Sequence, residues 1–477
     1  MFIGREQELR DLDAFWGRDQ GVLITCRGRR RIGKSTLIAE FASRSAHTFL
    51  PIVGLAPRKG MTDARQRRHF CEKLAEIGER DYREADTWSK AFRQLDELLA
   101  DRGRTVVLLD EISWMGGYDP DFAGYFKEAW DGYLRKHADL IFVLCGSVSA
   151  WIAENILHST GFVGRDSFDI ELGELSLPDS VALFGPTGTR LSTTEKLDLL
   201  SLTGGVPKYL EEIRPELSVD ENYRRLCFLP RSLLFREFDE TFSEVFGQRV
   251  ATRGRILRLL VDGRRSASEL AHLEKRPLNG FYTEALRDLN YAGFVAEDAG
   301  LNPLTGKEVK ESRYRIKDNY VRFYLKTIEP RAAAIKAGHF EFASLEQLNG
   351  WNSILGLQFE NMVLNHVADL FPHLGLERSL VLSAAPYIQG ATRRNEGCQI
   401  DLLIRTERML MVVEIKRQRE IHHDIVDEVA EKVRRLKYAK SLSVRTALVY
   451  DGRLSPSVPA DRYFDFIVSA ETLLKSK

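Results

Sequence analysis

The 477-residue chain has little to hold it together covalently: its five cysteines, Cys26, Cys71, Cys145, Cys227 and Cys398, are odd in number, scattered and never spaced as CxxC. That argues against a disulfide framework and a Cys-ligated zinc site, and fits a reducing cytoplasm. A charge imbalance is lacking as well. Lys plus Arg and Asp plus Glu both total 69, so the whole molecule offers no net field for nucleic acid and any basic surface must be local. No uninterrupted apolar run approaches the ~20 residues that span a bilayer. The opening MFIGREQELR carries no apolar signal region. A soluble, cytoplasmic protein without a membrane partner is expected. With 44% hydrophobic and 29% charged residues the composition is globular, and the length exceeds one ordinary core, so about three domains are expected.

What is present is organised around Gly28–Thr36, GRRRIGKST. An apolar run ending at Cys26 precedes it and Leu37–Ala42 follows, giving the strand, glycine loop and helix of a phosphate-binding P-loop. Gly28 and Gly33 free the backbone to wrap phosphate oxygens, and the loop through Arg31, Ile32 and Thr36 supplies N–H groups at a helix start. Lys34 reaches the β/γ-phosphates, and Ser35 is left to hold Mg²⁺. Farther on, the apolar strand beginning at Thr105 ends in Asp110 and Glu111. Acids at that end of a doubly wound sheet face its ligand crevice, with Asp110 assigned to Mg²⁺ and Glu111 to the attacking water. Turn-forming acids are the plain alternative. A third apolar run, Leu140–Cys145, leads to Ser147, either a sensor of the γ-phosphate or a capping serine. Arg165 is a candidate to stabilise the transferring phosphate, or else a surface ion pair. Phe2–Leu9, with Leu12 and Phe15 at helical spacing, either closes over a bound base or simply packs.

In their order and spacing, FIGREQEL, GRRRIGKSTL, VVLLDE, LCGS, GR and GGVPKYL resemble the archaeal-type P-loop ATPases, relatives of AAA+ and STAND ATPases, over residues 1 to about 240. The resemblance implies ATP and Mg²⁺ as cofactors. It implies Phe2, Ile3, Arg5 and Pro207 near adenine, Lys34 and Ser35 on phosphate and metal, and Asp110 and Glu111 in the Walker B role. A homo-oligomer, and turnover regulated by DNA or a protein partner, are expected with it.

Beyond residue 250, three helical segments, Arg253–Val261, Ser266–Leu273 and Leu278–Leu289, precede two alternating strands, Gly293–Glu297 and Ser312–Lys317. The set resembles a winged helix whose third helix would bring Lys275, Arg276 and Arg287 to DNA. So few cations suit a module that joins domains or binds protein equally well.

In the last third, Phe359, Met362, Val363 and Val367 mark one buried helix face with Glu360 at its edge. Gly397–Ile404 and Met409–Lys416 read as strands. Antiparallel neighbours would bring Asp401 and Glu414 together, and the period of two puts Lys416 on the face of Glu414. Converging carboxylates beside a lysine suit Mg²⁺ and a phosphodiester. Charged strand ends are the alternative, although burying Glu and Lys within VVEIK is costly unless they are paired or metal-bound. Glu360, Asp401 and Glu414-Ile-Lys416 resemble the PD-(D/E)XK restriction-endonuclease-like fold, with Gln399 where many relatives have Glu. Arg417 and the cations Lys432, Arg434, Arg435 and Lys437 of a helix over Ile425–Ala439 would track a phosphate backbone, or form a solvated charged face with Asp424, Asp427, Glu428 and Glu431.

The expected fold is α/β: a P-loop NTPase parallel sheet (1–180), a helical lid (181–250), a winged-helix domain (251–330) and a C-terminal α/β restriction-endonuclease-like domain (331–477). The expected function is ATP binding and hydrolysis in a protein acting on DNA, with a Mg²⁺-dependent deoxyribonuclease site. The alternative is a nucleotide-controlled switch or scaffold whose last domain binds DNA or protein without cleaving.

Overall fold

A computed structural model describes residues 2–100, 102–147, 149–157, 166–246, 249–391 and 396–475. The chain folds as two units, one of residues 1–173, 243–247 and 291–293, and one of the remainder.

In the first unit the apolar runs form parallel strands β1 (Val22–Arg27), β2 (Thr48–Val53), β3 (Thr105–Asp110), β4 (Leu140–Gly146) and β5 (Asp166–Glu171), in the order β2-β3-β4-β1-β5. Strands covered on both faces read as near-continuous apolar runs: β4 is apolar throughout, and β1 and β3 are so apart from Thr25 and Arg27 in the first and Thr105 and Asp110 at the ends of the second. The edge strand β5 is no such run. Its Asp169 accepts from Thr25 Oγ1 at 2.7 Å and from Arg27 Nε at 2.9 Å, and its Glu171 accepts from Arg27 at 2.8 Å.

This unit also holds the helices α1 (Glu6–Asp13), α2 (Lys34–Ser45), α3 (Asp63–Gly78), α4 (Trp88–Leu99), α5 (Ile112–Gly116) and α6 (Phe122–Gly132). The apolar rhythm of α4 buries Trp88, Phe92, Leu95 and Leu99, and Thr87 caps its start by accepting from Lys90 N–H. Trp88 and Phe92 meet Phe70 and Phe122 edge to face, an aromatic core beside the sheet. Because β4 lies between β1 and β3 and all three are parallel, the loop after β1, the acids after β3 and Ser147 after β4 emerge at one end of the sheet.

The second unit holds the helices Thr193–Thr203 and Val219–Cys227, then Val250–Leu260, Ala267–Leu273 and Gly280–Tyr291 with an antiparallel sheet. That sheet runs β6 (Arg265–Ser266), β8 (Arg313–Ile316), β7 (Val295–Asp298). The two-residue β6 is an addition to the expected pair of strands. A buried ion pair, Arg253 to Asp288 at 2.6 Å, ties the first of these three helices to the third.

The C-terminal sheet is mixed: β13 (Phe466–Ser469), β12 (Ser443–Leu454), β11 (Met409–Ile421), β10 (Cys398–Arg405), β9 (Ser383–Gln389) in that order. β10 is antiparallel to both neighbours, and β12 is parallel to both of its own. The helix Trp351–Asn365 packs on β11 and buries Phe359, Met362 and Val363. Val367 does not extend that face, because the helix stops at Asn365 and Val367 begins a separate turn. The charged helix runs Asp424–Arg435, ending short of the expected Ala439.

Candidate functional site

The glycines of the first loop are there for geometry. Gly28 has φ 149°, and a Cβ on it would collide with the Leu172 carbonyl; Gly33 has φ 89°. Arg31 takes the left-handed region at φ 68°, and Ile32 is buried as the loop's anchor. Lys34 and Thr36 lie in the first turn of α2. The buried Lys34 ammonium donates to the carbonyls of Gly28 (3.0 Å) and Arg29 (3.1 Å), which commits two of its three protons and points the charge into the loop.

Ser35 Oγ donates to Asp110 Oδ2 at 2.5 Å. A hydroxyl and a carboxylate joined where β3 meets the start of α2 are the hard oxygen donors Mg²⁺ takes, and they fit it. The metal, when bound, supplies charge neutralisation on the phosphates. Asp110 Oδ1 accepts the Glu111 N–H at 3.0 Å, which orients the carboxylate. Glu111 sits in the left-handed region, φ 51° and ψ 48°, strain that a non-glycine residue bears where function or packing demands it. Its Oε2 accepts from Ser147 N–H (3.1 Å) and Ser147 Oγ (2.8 Å). The structure therefore brings Ser147 onto Glu111.

At the start of the chain, Arg5 is also left-handed (φ 65°) and donates to the Gly173 carbonyl at 2.6 Å. Phe2 lies under the Arg44 guanidinium at 5.8 Å, and Ile3 is half-buried. Pro207, in the second unit, opens the short helix Pro207–Leu210 at a position where its missing N–H costs nothing. Arg165 lies outside the described residues.

In the C-terminal sheet, β10 and β11 pair Leu402 with Val413, a register that sets Asp401 opposite Glu414. Asp401 Oδ2 accepts the Ile415 N–H at 3.0 Å. Glu414 is 3% exposed, and burial together with the Asp401 charge pushes its carboxyl up to about 7. Lys432, from the helix Asp424–Arg435, donates to Glu414 Oε2 at 2.6 Å. Burial works against the Lys432 charge, but Glu414 outweighs it and leaves the ammonium above its ordinary value. Lys416 and Lys432 each reach Glu428 at 3.1 Å. Asp401 and Lys432 also line a cavity of about 420 Å³ with Gln399 and Glu428.

Glu360 stands apart from this set, paired with Arg264. Among the described residues no three acid, His or Cys groups converge to hold a metal, so Asp401 and Glu414 come together without Glu360. Lys432 as the partner of Glu414 was not expected. The available signal was its i,i+4 spacing from Glu428, which puts both on one helix face. The remaining cations are largely spent on acids: Arg434 and Arg435 on Glu431, and Arg417, 6% exposed, on Asp198 (2.5 Å) and Asp451 (2.9 Å).

A family profile described as an ATPase domain predominantly from Archaea matches residues 2–213. Among curated proteins, an uncharacterised protein of Methanocaldococcus jannaschii is 22% identical over 377 residues, 78% of each chain. An uncharacterised ATP-binding protein of the same organism is 44% identical over 41 residues, 9% of this chain and 70% of that protein. Among solved structures, a Walker-type ATPase of Pyrococcus abyssi has a TM-score of 0.46 at 17% identity, covering 68% of this chain and 96% of its own. The ORC2 protein of Aeropyrum pernix has a TM-score of 0.44 at 15% identity, covering 70% and 94%. Among the described residues no helix is long and apolar enough to cross a membrane. Residues 2–213, which carry Lys34, Ser35, Asp110, Glu111 and Ser147, thus match the profile of an ATPase domain, and this part of the chain binds and hydrolyses ATP with Mg²⁺.

Proposed function

We propose that ATP turnover drives rearrangement of a C-terminal domain that acts on DNA, and that the site at Asp401 and Glu414 hydrolyses phosphodiester bonds with Mg²⁺. The observation that carries this is the placement of Asp401 opposite Glu414 on antiparallel neighbours, beside a cavity lined by Asp401 and Lys432. Asp401 and Glu414 would hold the metal, which supplies charge for the phosphoryl oxygens, while Lys432 neutralises Glu414 and Lys416 would steady a water or the scissile phosphate. The three helices with β6, β7 and β8 are read as a winged helix that meets DNA through Lys275, Arg276 and Arg287. In the ATPase domain, Glu111 polarises water, Phe2, Ile3, Arg5 and Pro207 serve adenine, and Arg165 serves the transferring phosphate within a homo-oligomer.

Incubating the full chain with Mg²⁺ and single-stranded or branched DNA tests the proposal. Nicks that vanish in Glu414→Ala and persist in Lys34→Ala are the expected result. A second reading, the nucleotide-controlled switch or scaffold, is favoured by one observation: Glu414 and Glu360 are already neutralised by Lys432 and Arg264. DNA binding without cleavage of any substrate would establish it.

A further inference from the structure

Beside Glu360 lies a cavity of different chemistry. About 300 Å³ in volume, it is lined by Arg264, Arg265, Arg315 and Arg322 against two acids, Glu360 and Asp262, and Asp262 is already paired with Lys326 at 2.8 Å. Gln399 lines both this cavity and the one at Asp401, so the two abut.

The arginines are unequally satisfied. Arg315 Nε donates to Asp298 at 3.1 Å, and its Nη1 reaches Asn361 and, at 2.9 Å, Asn365. Arg264, with a side chain 8% exposed, gives Nη2 to Glu360 and holds Nε 3.8 Å from Asp298. Its Nη1 is buried with no hydrogen-bond partner among the described residues. Arg322, 4% exposed, donates to the carbonyls of Leu357 and Ile316, both at 3.0 Å. It has no carboxylate partner among the described residues, and its Nε is buried and unpaired there. Burial, then the charges of Arg315 and Arg264, lower the Arg322 guanidinium to about 9. Three crowded, dry guanidiniums thus share two acids, Asp298 and Glu360, and keep unused donors, which is costly without a further anion, and planar guanidinium forks are the donor set that matches phosphate.

We infer that this cavity binds a phosphate group of a nucleic acid strand, held by Arg264 and Arg322 with Arg315 behind them. The strand's next phosphate lies toward Asp401 through the boundary at Gln399. The inference rests on the DNA reading above only for the source of the phosphate.

The test uses the full chain carrying Lys34→Ala, which removes the P-loop as a competing phosphate site. Inorganic phosphate, against chloride at matched ionic strength, raises Tm. The rise is lost in Arg264→Gln, partly kept in Arg264→Lys, and larger in Glu360→Gln, where Arg264 is released from its acid. For the source, fluorescence anisotropy of a labelled oligothymidylate is titrated with salt. Arg264→Gln lowers the slope of log affinity against log salt by about 0.7, the value for one phosphate contact on a single strand. No Tm response to phosphate, or an equal response in Arg264→Gln, overturns the site. A phosphate response with an unchanged oligonucleotide slope overturns the DNA source and assigns the cavity to free phosphate. Both readouts measure binding, so a failure of DNA cleavage is told apart from a failure of this site.

Discussion

The Ser147 hydroxyl donates to Oε2 of Glu111 across 2.8 Å, and the Ser147 N–H reaches the same oxygen at 3.1 Å. The end of β4 thereby fixes the acid that follows β3, while Ser35 and Asp110 are joined one residue away.

Removing that hydroxyl should slow hydrolysis without weakening nucleotide binding. A hydrogen bond to a charged group is worth about 1.5–3 kcal/mol, so Ser147→Ala lowers kcat by roughly 10- to 100-fold. Nucleotide Kd, which the proposed site assigns to Lys34 and the loop amides, should stay near its original value. Steady-state ATPase rates beside equilibrium nucleotide titration check this, and a parallel loss of affinity would place Ser147 in binding.

Lys432 and Lys416 should differ sharply in what they contribute to stability. Lys432→Met strips the cation from a buried carboxylate and costs about 3 kcal/mol. Lys416 pairs with Glu428, whose side chain is 44% exposed, so Lys416→Met changes stability by no more than about 1 kcal/mol. Denaturant unfolding of the two variants measures the difference. Equal small losses would mean Lys432 does not neutralise Glu414 in solution.

Glu414 should also leave a mark on the pH profile. Its carboxyl is raised from an ordinary 4.5 to about 7 by burial and Asp401, so the folded chain holds that proton more tightly than the unfolded chain does. Above pH 7 the group opposes folding, and the penalty is relieved as pH falls from about 7 toward 4.5. Glu414→Gln should flatten that part of the curve of Tm against pH and raise Tm at alkaline pH. An unchanged profile would show that Glu414 is not perturbed.

The parts legible in the sequence are those set by local physics. The strand β3 with its terminal acids, the loop GRRRIGKST and the helix α4 follow from apolar runs, glycine placement and a 3.6-residue rhythm. The edge strand β5 escaped because its alternation is short: only Phe168 and Ile170 are apolar, and Asp169 answers Thr25 and Arg27 across the sheet instead of packing inward. β9, Ser383–Gln389, carries Pro386 and only one buried residue, which hides it the same way. At the C-terminal site the pairing of Asp401 with Glu414 was readable from strand period. The partners that neutralise Glu414 and Glu360 were not, since Lys432 and Arg264 arrive from other elements and only tertiary packing selects them.

Arg417 gives the last test, because its position immediately after Lys416 suggested a backbone-tracking cation and the fold turns it inward. It bridges Asp198 at 2.5 Å and Asp451 at 2.9 Å and donates to Ser201 Oγ at 3.1 Å. Burial lifts both carboxyls above their ordinary range even with the guanidinium beside them. Arg417→Leu therefore leaves two desolvated acids without a cation, and stability should fall by about 3–5 kcal/mol. Adding Asp198→Asn and Asp451→Asn should recover much of that loss. The triple variant should keep the salt dependence of the DNA binding proposed above, since a side chain enclosed by two acids releases no counterions from a phosphate backbone. A shallower salt slope in the triple variant would show instead that Arg417 leaves its acids to touch DNA.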